Sequence, residues 1–450
     1  MSKKNIDMTE GKPLELLTAF TIPMILGNVF QQLYTMVDTM VVGKFVSKDA
    51  LAAVGATGAI LFLMISIIIG FTVGTAIVTA QTAGAKDTEG IRAIFSTGFY
   101  IIIIETVALC IIGNLGSKPA LRLLNTPEDI INQADLYLRI NFSSCIAPIM
   151  YNVISQFMRS LGDSKTPLYA LIISSVLNII LDLLFVIVFH MGVAGVAVAT
   201  AISQFVSAFY CLIVTWKKFP EYIPLKGQWK INGGIIKTIL KFGIPMALQN
   251  MLVSFGMMFV QSTINNYGTN IVAGYTAGNK VDQIGIQFMN SVGSAISTYA
   301  GQNYGAKKLK RLFEGLKASL VLNFLLSLIL ALVIIVFGRF IVLLFLKTSE
   351  TEAISVAVRY LIIVSSFYLF CGISNIFQSF LRGVNYVTVP TSASIVELVV
   401  KIGIAFGFSY LFGYNGIWWA WPISWIITDV FLYGYYFFVS KPHLKKIMSD

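Results

Sequence analysis

Long apolar runs recur along this chain and limit what it can fold into. A run of about 20 apolar residues is long enough for one helical crossing of a bilayer. Hydrophobic residues make up 56% of the 450, and the charged share of 12% is about half that of a soluble domain. We therefore predict an all-α integral membrane protein with twelve transmembrane helices, at 15–42, 50–80, 93–116, 134–158, 167–189, 193–216, 238–265, 270–300, 315–346, 354–381, 387–412 and 415–439.

Basic residues are distributed unevenly between the two sides of the predicted membrane span. With twelve crossings both termini lie on one side, and that side holds 22 of the 32 Lys and Arg residues against eight on the other. Because Lys and Arg accumulate in cytoplasmic loops, we predict cytoplasmic termini and a multi-pass protein of the cell (cytoplasmic) membrane. The net charge of +11 then reflects topology, and we expect the lipid bilayer rather than nucleic acid as a partner.

The second half of the chain repeats the first at a nearly constant offset of 221–223 residues. Four sets of motifs correspond: 20–24 with 242–246, 81–86 with 302–307, Arg159 and Pro167 with Arg382 and Pro390, and 195–203 with 416–424. Six crossings per repeat is an even number, so the two repeats run parallel and form two pseudo-symmetric six-helix lobes. We predict a cytoplasmic N-terminus (1–14), an N-lobe (15–216), a cytoplasmic linker (217–237), a C-lobe (238–439) and a cytoplasmic tail (440–450).

A carboxylate and an amide lie within the fifth apolar run. Asn178 and Asp182 are four residues apart, so they share one face of a helix. A carboxylate in a lipid-spanning helix costs roughly 2.5 kcal/mol or more, so Asp182 is expected to face a bundle interior or a wet cavity. The structural alternative is a helix–helix hydrogen bond made by Asn178 and a neutral Asp182.

Two further polar residues of the first half are predicted at a similar depth. At 1.5 Å per residue, Asp38 lies roughly 8 Å below the outer surface, and Asp182 and Thr200 lie roughly 12 Å below it. Oxygen ligands from two carboxylates, an amide and a hydroxyl suit a hard cation such as Na⁺, and a carboxylate pair can equally hold a proton. Asp38, Asn178, Asp182 and Thr200 are therefore the candidate cation-binding residues, with Na⁺ and H⁺ both left open.

Polar residues of the second half are candidates for contacts with a transported substrate: Gln249, Lys280, Asp282, Asn375, Gln378, Glu397 and Lys401. Glu397 and Lys401 are spaced for an ion pair on one helix, and Lys280 lies close to Asp282 in sequence. Mutual neutralisation within each pair is as well supported as a substrate role. In the first apolar run, Pro23 is a candidate hinge because proline removes a helical hydrogen bond.

Several functional classes find no support in the sequence. There is no Gly-x-x-x-x-Gly-Lys-Ser/Thr phosphate loop, so an ATPase domain would have to belong to another chain. The two histidines, His190 and His443, offer neither a metal cluster nor a nucleophilic triad. We predict that the protein is not an enzyme and needs no cofactor beyond a coupling ion.

Taken together, the motifs resemble those of the multidrug and toxic compound extrusion (MATE) transporters over nearly the whole chain. They are Pro23, Asp38-x-x-x-x-Gly43, Gln81-x-x-Gly-Ala, Arg159-Ser-Leu-Gly-Asp163 with Pro167, Asn178-x-x-x-Asp182, 195–204, and their second-half counterparts. The closest resemblance is to the bacterial DinF-type branch, in which residues matching Asp38, Asn178, Asp182 and Thr200 form the N-lobe cation site. The NorM-type branch carries acids on its seventh and tenth helices, where this chain has Gln249, Asn375 and Gln378.

The resemblance implies a transporter that exports amphipathic, often cationic, drugs or toxic compounds. Export would be coupled to H⁺ or Na⁺ and would proceed by alternating access of the two lobes. The alternatives are a lipid-linked precursor flippase of the same superfamily and a channel or receptor. Twelve crossings and inward-facing acids favour the exporter over the flippase, and the internal repeat argues against a channel.

Overall fold

The protein is represented by a computed structural model that describes residues 6–448, and every regular element within them is helical. Eight α-helices form the first half: α1 (Pro13–Val41), α2 (Lys48–Ala56), α3 (Gly58–Gly84), α4 (Thr88–Leu123), α5 (Ile131–Ser143), α6 (Ile146–Ser160), α7 (Lys165–Leu183) and α8 (Gly192–Lys218). Nine form the second: α9 (Gly233–Asn265), α10 (Thr269–Gly305), α11 (Leu309–Val342), α12 (Thr351–Ser365), α13 (Tyr368–Gly383), α14 (Thr388–Phe412), α15 (Tyr414–Ile417), α16 (Ala420–Tyr435) and α17 (Lys441–Met448).

The predicted all-α membrane architecture is confirmed. Within the described residues, nine helical stretches are long and apolar enough to cross a bilayer, and the bent pair of α12 and α13 makes a tenth. The two remaining predicted crossings, 134–158 and 270–300, are helical as well and correspond to α5 with α6 and to α10. All twelve predicted crossings are therefore present as helical segments.

Four predicted crossings contain a break: 50–80 between α2 and α3, 415–439 between α15 and α16, and also 134–158 and 354–381, whose breaks correspond between the two repeats. The corresponding breaks separate α5 from α6 in the first half and α12 from α13 in the second, where the two axes differ by 50°. At each of these two breaks a serine hydroxyl, of Ser144 or Ser366, donates a hydrogen bond of 2.7 Å to the carbonyl four residues earlier. Such bonds compete with the helical ladder and bend helices.

The chain forms two compact units whose limits differ from the predicted lobes. One unit contains Ile22–Ala247, and the other contains Met8–Thr21 together with the chain from Leu248 onward. The first turns of α1 and of α9 each pack with the opposite repeat. The predicted N-lobe (15–216) and C-lobe (238–439) instead assign each of these segments to the same lobe as the rest of its helix.

In the second unit, polar side chains hold the segment that precedes α1. The Met8 amide donates to Gln302 Oε1 at 3.0 Å, and Asn303 Nδ2 donates to the Met8 carbonyl at 2.9 Å. Arg311 donates to the carbonyls of Met8, at 3.2 Å, and of Gly11, at 2.9 Å. These bonds satisfy backbone groups that precede the helix and have no helical partner.

In the first unit, the corresponding segment before α9 is held by α4, and α9 itself packs on α3. The Lys230 amide donates to Ser96 Oγ at 2.9 Å. Further along, α9 passes α3 so closely that a Cβ atom on Gly70 would lie 2.7 Å from the Gly243 carbonyl oxygen. Only a residue without a side chain allows the two backbones to approach in this way.

Candidate functional site

The structure brings the four predicted cation-binding residues together in the first unit. Asp38 lies near the end of α1, Asn178 and Asp182 lie on α7, and Thr200 lies on α8. Thr200 Oγ1 is 3.4 Å from Asp38 Oδ2, and Asn178 Nδ2 donates to Thr200 Oγ1 at 3.5 Å. Asp38 and Asp182 are close enough to interact electrostatically. Asn178 and Asp182 are 1% and 0% exposed, whereas Asp38 and Thr200 are half-buried.

The oxygen atoms of this site outnumber the donors that serve them. Thr200 has a single hydroxyl hydrogen, and the Val196 carbonyl, 3.0 Å away, competes with Asp38 for it. Among the residues that the structure describes, no donor serves the buried oxygens Asp38 Oδ1, Asn178 Oδ1, and Asp182 Oδ1 and Oδ2. Buried carboxylate oxygens without donors are costly, and a cation bound among them, or a proton shared by the two acids, would compensate for them.

Irregular helical turns follow both acids. The α1 helix continues into a π-helical segment at Val42–Val46, and α7 continues into another at Leu184–Val188. Residues of both segments join one buried apolar cluster: Val41, Val42, Ala50, Val186, Val193 and Val196. π-Helical turns frequently occur at functional sites, where they change the direction of side chains. Here they surround one end of the acidic site with apolar packing.

Three residues beside the site were not predicted from the sequence. Gln204 Nε2 donates to the Tyr34 hydroxyl at 3.4 Å. Tyr34 is one helical turn before Asp38, and Gln204 is one turn after Thr200. The four-residue spacing could therefore have predicted that both lie on the same helix faces as the site residues. Tyr137, on α5, interacts electrostatically with both acids. No motif in the sequence connects it to them.

In the second unit, two of the predicted substrate-contacting residues bind each other. Gln249 Nε2 donates to Gln378 Oε1, and Arg382 donates to Gln249 Oε1 at 2.9 Å. Asn375 instead donates to the carbonyl of Cys371, one turn earlier on its own helix, at 3.0 Å. The glutamines and the arginine therefore form one hydrogen-bonded group that connects α9 and α13.

Of the two alternatives left open for Lys280 and Asp282, mutual neutralisation is not observed, because the two side chains have different partners. Asp282 is buried and accepts hydrogen bonds of 2.8 Å from the hydroxyls of Tyr360 and Tyr368. Lys280 is exposed, with its ammonium 5.7 Å from the centre of the Phe345 ring. The physical reason is geometric, because residues two apart on a helix do not face each other.

The predicted pairing of Glu397 with Lys401 is confirmed. Lys401 Nζ lies 2.8 Å from Glu397 Oε1, and Lys401 is only 4% exposed. Lys401 also interacts electrostatically with Asp282, and Glu397 with Asp429. Ser374 donates to one oxygen of Asp429, while the other oxygen is buried without a donor among the described residues. The second unit thus contains a buried ionic cluster of three acids and one lysine.

Pro23, the predicted hinge, lies inside α1. The helix continues without a break on both sides of it, from Pro13 to Val41. Its role as a hinge stays a prediction.

Comparisons with known proteins identify the family. The MatE family model matches residues 23–184 and 245–407, one segment in each repeat. The chain is 33% identical to "Probable multidrug resistance protein YoeA" of Bacillus subtilis over 94% of each chain. It is 31% identical to "Probable multidrug resistance protein YpnP" of the same organism, over 96% of this chain and 97% of that one.

The fold is also that of solved structures. The outward-facing conformation of a multidrug resistance MATE family transporter of the MOP superfamily matches with a TM-score of 0.91. The sequence identity is 24%, and the match covers 99% of this chain and 100% of that one. The sequence relationship and the two-lobe fold agree, and the chain belongs to the MatE family of MATE membrane transporters.

Proposed function

We propose that this protein is a cation-coupled antiporter that exports small amphipathic, often cationic, compounds from the cell. The relatives' names, which describe multidrug resistance proteins, support this class of substrate. The positive-inside bias supports cytoplasmic termini. With that orientation Asp38 and Asp182 lie in the outer half of the bilayer, where a coupling ion that enters from outside can drive export. Asp38, Asn178, Asp182 and Thr200 form the coupling site in this proposal, as in the DinF-type branch that the motifs resemble.

The observation that carries the proposal is the shortage of hydrogen-bond donors around Asp38 and Asp182. Two neighbouring carboxylates that interact repel each other when both are charged, and neither has enough donors to offset its burial. The site therefore favours a state that holds a cation. Every group that converges on it offers oxygen, which fits Na⁺ as well as a proton.

Occupancy of this site can bias the conformation of the transporter. The two acids are carried by α1 and α7, so neutralising them removes a repulsion between these helices. A bound ion shifts a conformational equilibrium only if its affinity differs between the two states. The π-helical segments that follow both acids, and Pro23 within α1, are places where the helices can rearrange. Alternating access of the two lobes would follow from this rearrangement.

Transport by purified protein in proteoliposomes tests the proposal. Ethidium, a fluorescent amphipathic cation, is the probe, and flux is measured with a Na⁺ gradient alone, a proton gradient alone, and neither. We expect at least one gradient to drive ethidium against its concentration gradient. The Asp129→Asn variant, which changes an exposed acid of the same unit, should behave as the wild type. If ethidium moves only down its own concentration gradient, whichever ion gradient is imposed, the result would contradict ion coupling and favour a channel.

A further inference from the structure

A cavity of about 430 Å³ lies between α11 and α12 in the second unit, away from the residues described above. This volume is within the range of about 300–1,000 Å³ that is typical of small-molecule sites. Its polar wall is formed by Arg339, Thr351, Ser355 and Arg359, and its other walls are aliphatic. The cavity therefore combines two guanidinium groups, two hydroxyls and an apolar surface.

The polar residues of α12 are arranged in order of depth. Thr351, Ser355 and Arg359 follow one another at four-residue spacing, so they line a single face of the helix. Thr351 is the first residue of α12, where the free amide groups and the helix dipole favour an anion. One turn beyond Arg359 the lining becomes aliphatic, at Ile362 and Ile363. The polarity of the cavity thus decreases along α12, as that of a phospholipid decreases from headgroup to chain.

The two arginines of the cavity have no carboxylate partner among the described residues. Of the ion pairs within residues 6–448, none involves Arg339 or Arg359. Arg359 donates to the neutral amide of Asn415 at 3.2 Å. The nearby acids have other partners: Glu350 accepts from the Lys347 amide at 2.8 Å, and Glu352 accepts from Asn270 at 2.6 Å. Two guanidinium groups without a carboxylate partner are suited to a phosphate, which they can bind in a bidentate manner.

The surface beside Arg339 is apolar and faces outward from the bundle. Val336 and Phe340, one on each side of it in α11, are 61% and 68% exposed. On a transmembrane helix such a surface contacts lipid. A ligand that enters from the bilayer can therefore reach the cavity, and its chain can pack against Ile362.

We propose that this cavity binds an anionic phospholipid, with the phosphate at Arg339 and Arg359 and an acyl chain along the aliphatic wall. Thr351 and Ser355 supply hydroxyl donors to the remaining phosphate oxygens. An anionic headgroup is favoured by each Lys or Arg near it, and a guanidinium can form two parallel hydrogen bonds to its phosphate. The proposal is independent of the identity of the coupling ion.

Native mass spectrometry of the detergent-purified full chain tests this site, with phosphatidylglycerol as the probe and phosphatidylcholine as the net-neutral comparison. We expect one phosphatidylglycerol to bind the wild type in preference to phosphatidylcholine. The double variant Arg339→Gln, Arg359→Gln should bind it about thirtyfold more weakly, because two charges near the headgroup are lost. Arg122→Gln, an exposed arginine of the first unit that pairs with Glu128, is the matched control and should leave binding unchanged.

Unchanged phosphatidylglycerol binding by the double variant, or an equal loss in the Arg122→Gln control, would overturn the assignment. If the double variant does not fold, Arg339→Lys with Arg359→Lys replaces it and should still weaken binding, since lysine cannot bind phosphate in a bidentate manner. In a final competition measurement, inorganic phosphate is added at millimolar concentration to the lipid-bound protein. If it displaces the lipid completely, the cavity recognises soluble phosphate and the lipid proposal fails.

Discussion

Lys401 donates a hydrogen bond of 2.8 Å to Glu397 in the interior of the second unit, where the lysine is almost inaccessible. Removing one partner of a buried ion pair leaves the other charge unpaired and costs roughly 3–5 kcal/mol. We expect Lys401→Met to lower thermal stability in detergent and the yield of folded protein, because Glu397, Asp282 and Asp429 then lose their only cation within this cluster. The double variant Lys401→Met, Glu397→Gln should recover much of the loss.

The chain offers a matched control for this experiment. Lys310 and Glu314 have the same four-residue spacing on a helix but are exposed, with 4.0 Å between the charged atoms. Exposed pairs of this kind contribute about 0–1 kcal/mol, so Lys310→Met should change thermal stability little. A Lys401→Met variant that is as stable as Lys310→Met would show that the buried cluster does not depend on the lysine.

The segment before α1 should loosen when Arg311 is replaced. The guanidinium donates to two backbone carbonyls, of Met8 and Gly11, and each hydrogen bond to a charged group contributes roughly 1.5–3 kcal/mol. We expect Arg311→Gln to accelerate amide hydrogen exchange at 8–11 while leaving α7 and α8 unchanged. Lys307→Gln, a change at an exposed position four residues away, should leave the exchange rates as in the wild type. Equal exchange in both variants would mean that Arg311 does not hold this segment.

The sequence predicted the helices well because long apolar runs have one physical solution in a bilayer. It did not predict the breaks at Ser144 and Ser366, because a serine that bonds back to its own helix looks like any other serine in the sequence. The sequence also did not predict that the first turns of α1 belong to the second unit and those of α9 to the first, for a related reason. They depend on long-range contacts, such as that between Arg311 and Met8, which helical periodicity does not encode.

The candidate site was partly accessible from the sequence. Asn178 and Asp182 share a helix face, and depth along the helix connected them to Asp38 and Thr200. Tyr137 was missed because its helix carries no comparable motif. The partners of Asp282 were not predicted, since its bonds to Tyr360 and Tyr368 depend on how helices pack rather than on local spacing.

The orientation of the chain can be tested at the link between the repeats. Lys226 is exposed, and the basic residues around it predict a cytoplasmic location. We expect Lys226→Cys to react with a membrane-impermeant maleimide only after cells are permeabilised. Asp129→Cys, at an exposed position between α4 and α5, should react in intact cells. The native protein is the background control, since three of its cysteines are buried and Cys110 is half-buried. Labelling of position 226 in intact cells would reverse the proposed direction of transport.

Asp38 and Asp182 should behave as one coupled unit. Their carboxyl groups interact electrostatically, so the charge on one determines how readily the other holds a proton or shares a cation. We expect Asp38→Asn and Asp182→Asn each to remove most ion-driven ethidium transport while the protein still inserts and folds, because the amide preserves side-chain volume. The double variant should lose little more transport activity than either single variant, since the effects of substitutions at interacting residues are not additive. The measurement is the ion dependence of transport in proteoliposomes, with protein amount and thermal stability matched. Strictly additive losses, or an unchanged ion dependence in Asp182→Asn, would show that the two acids act separately and that the coupling site has been assigned incorrectly.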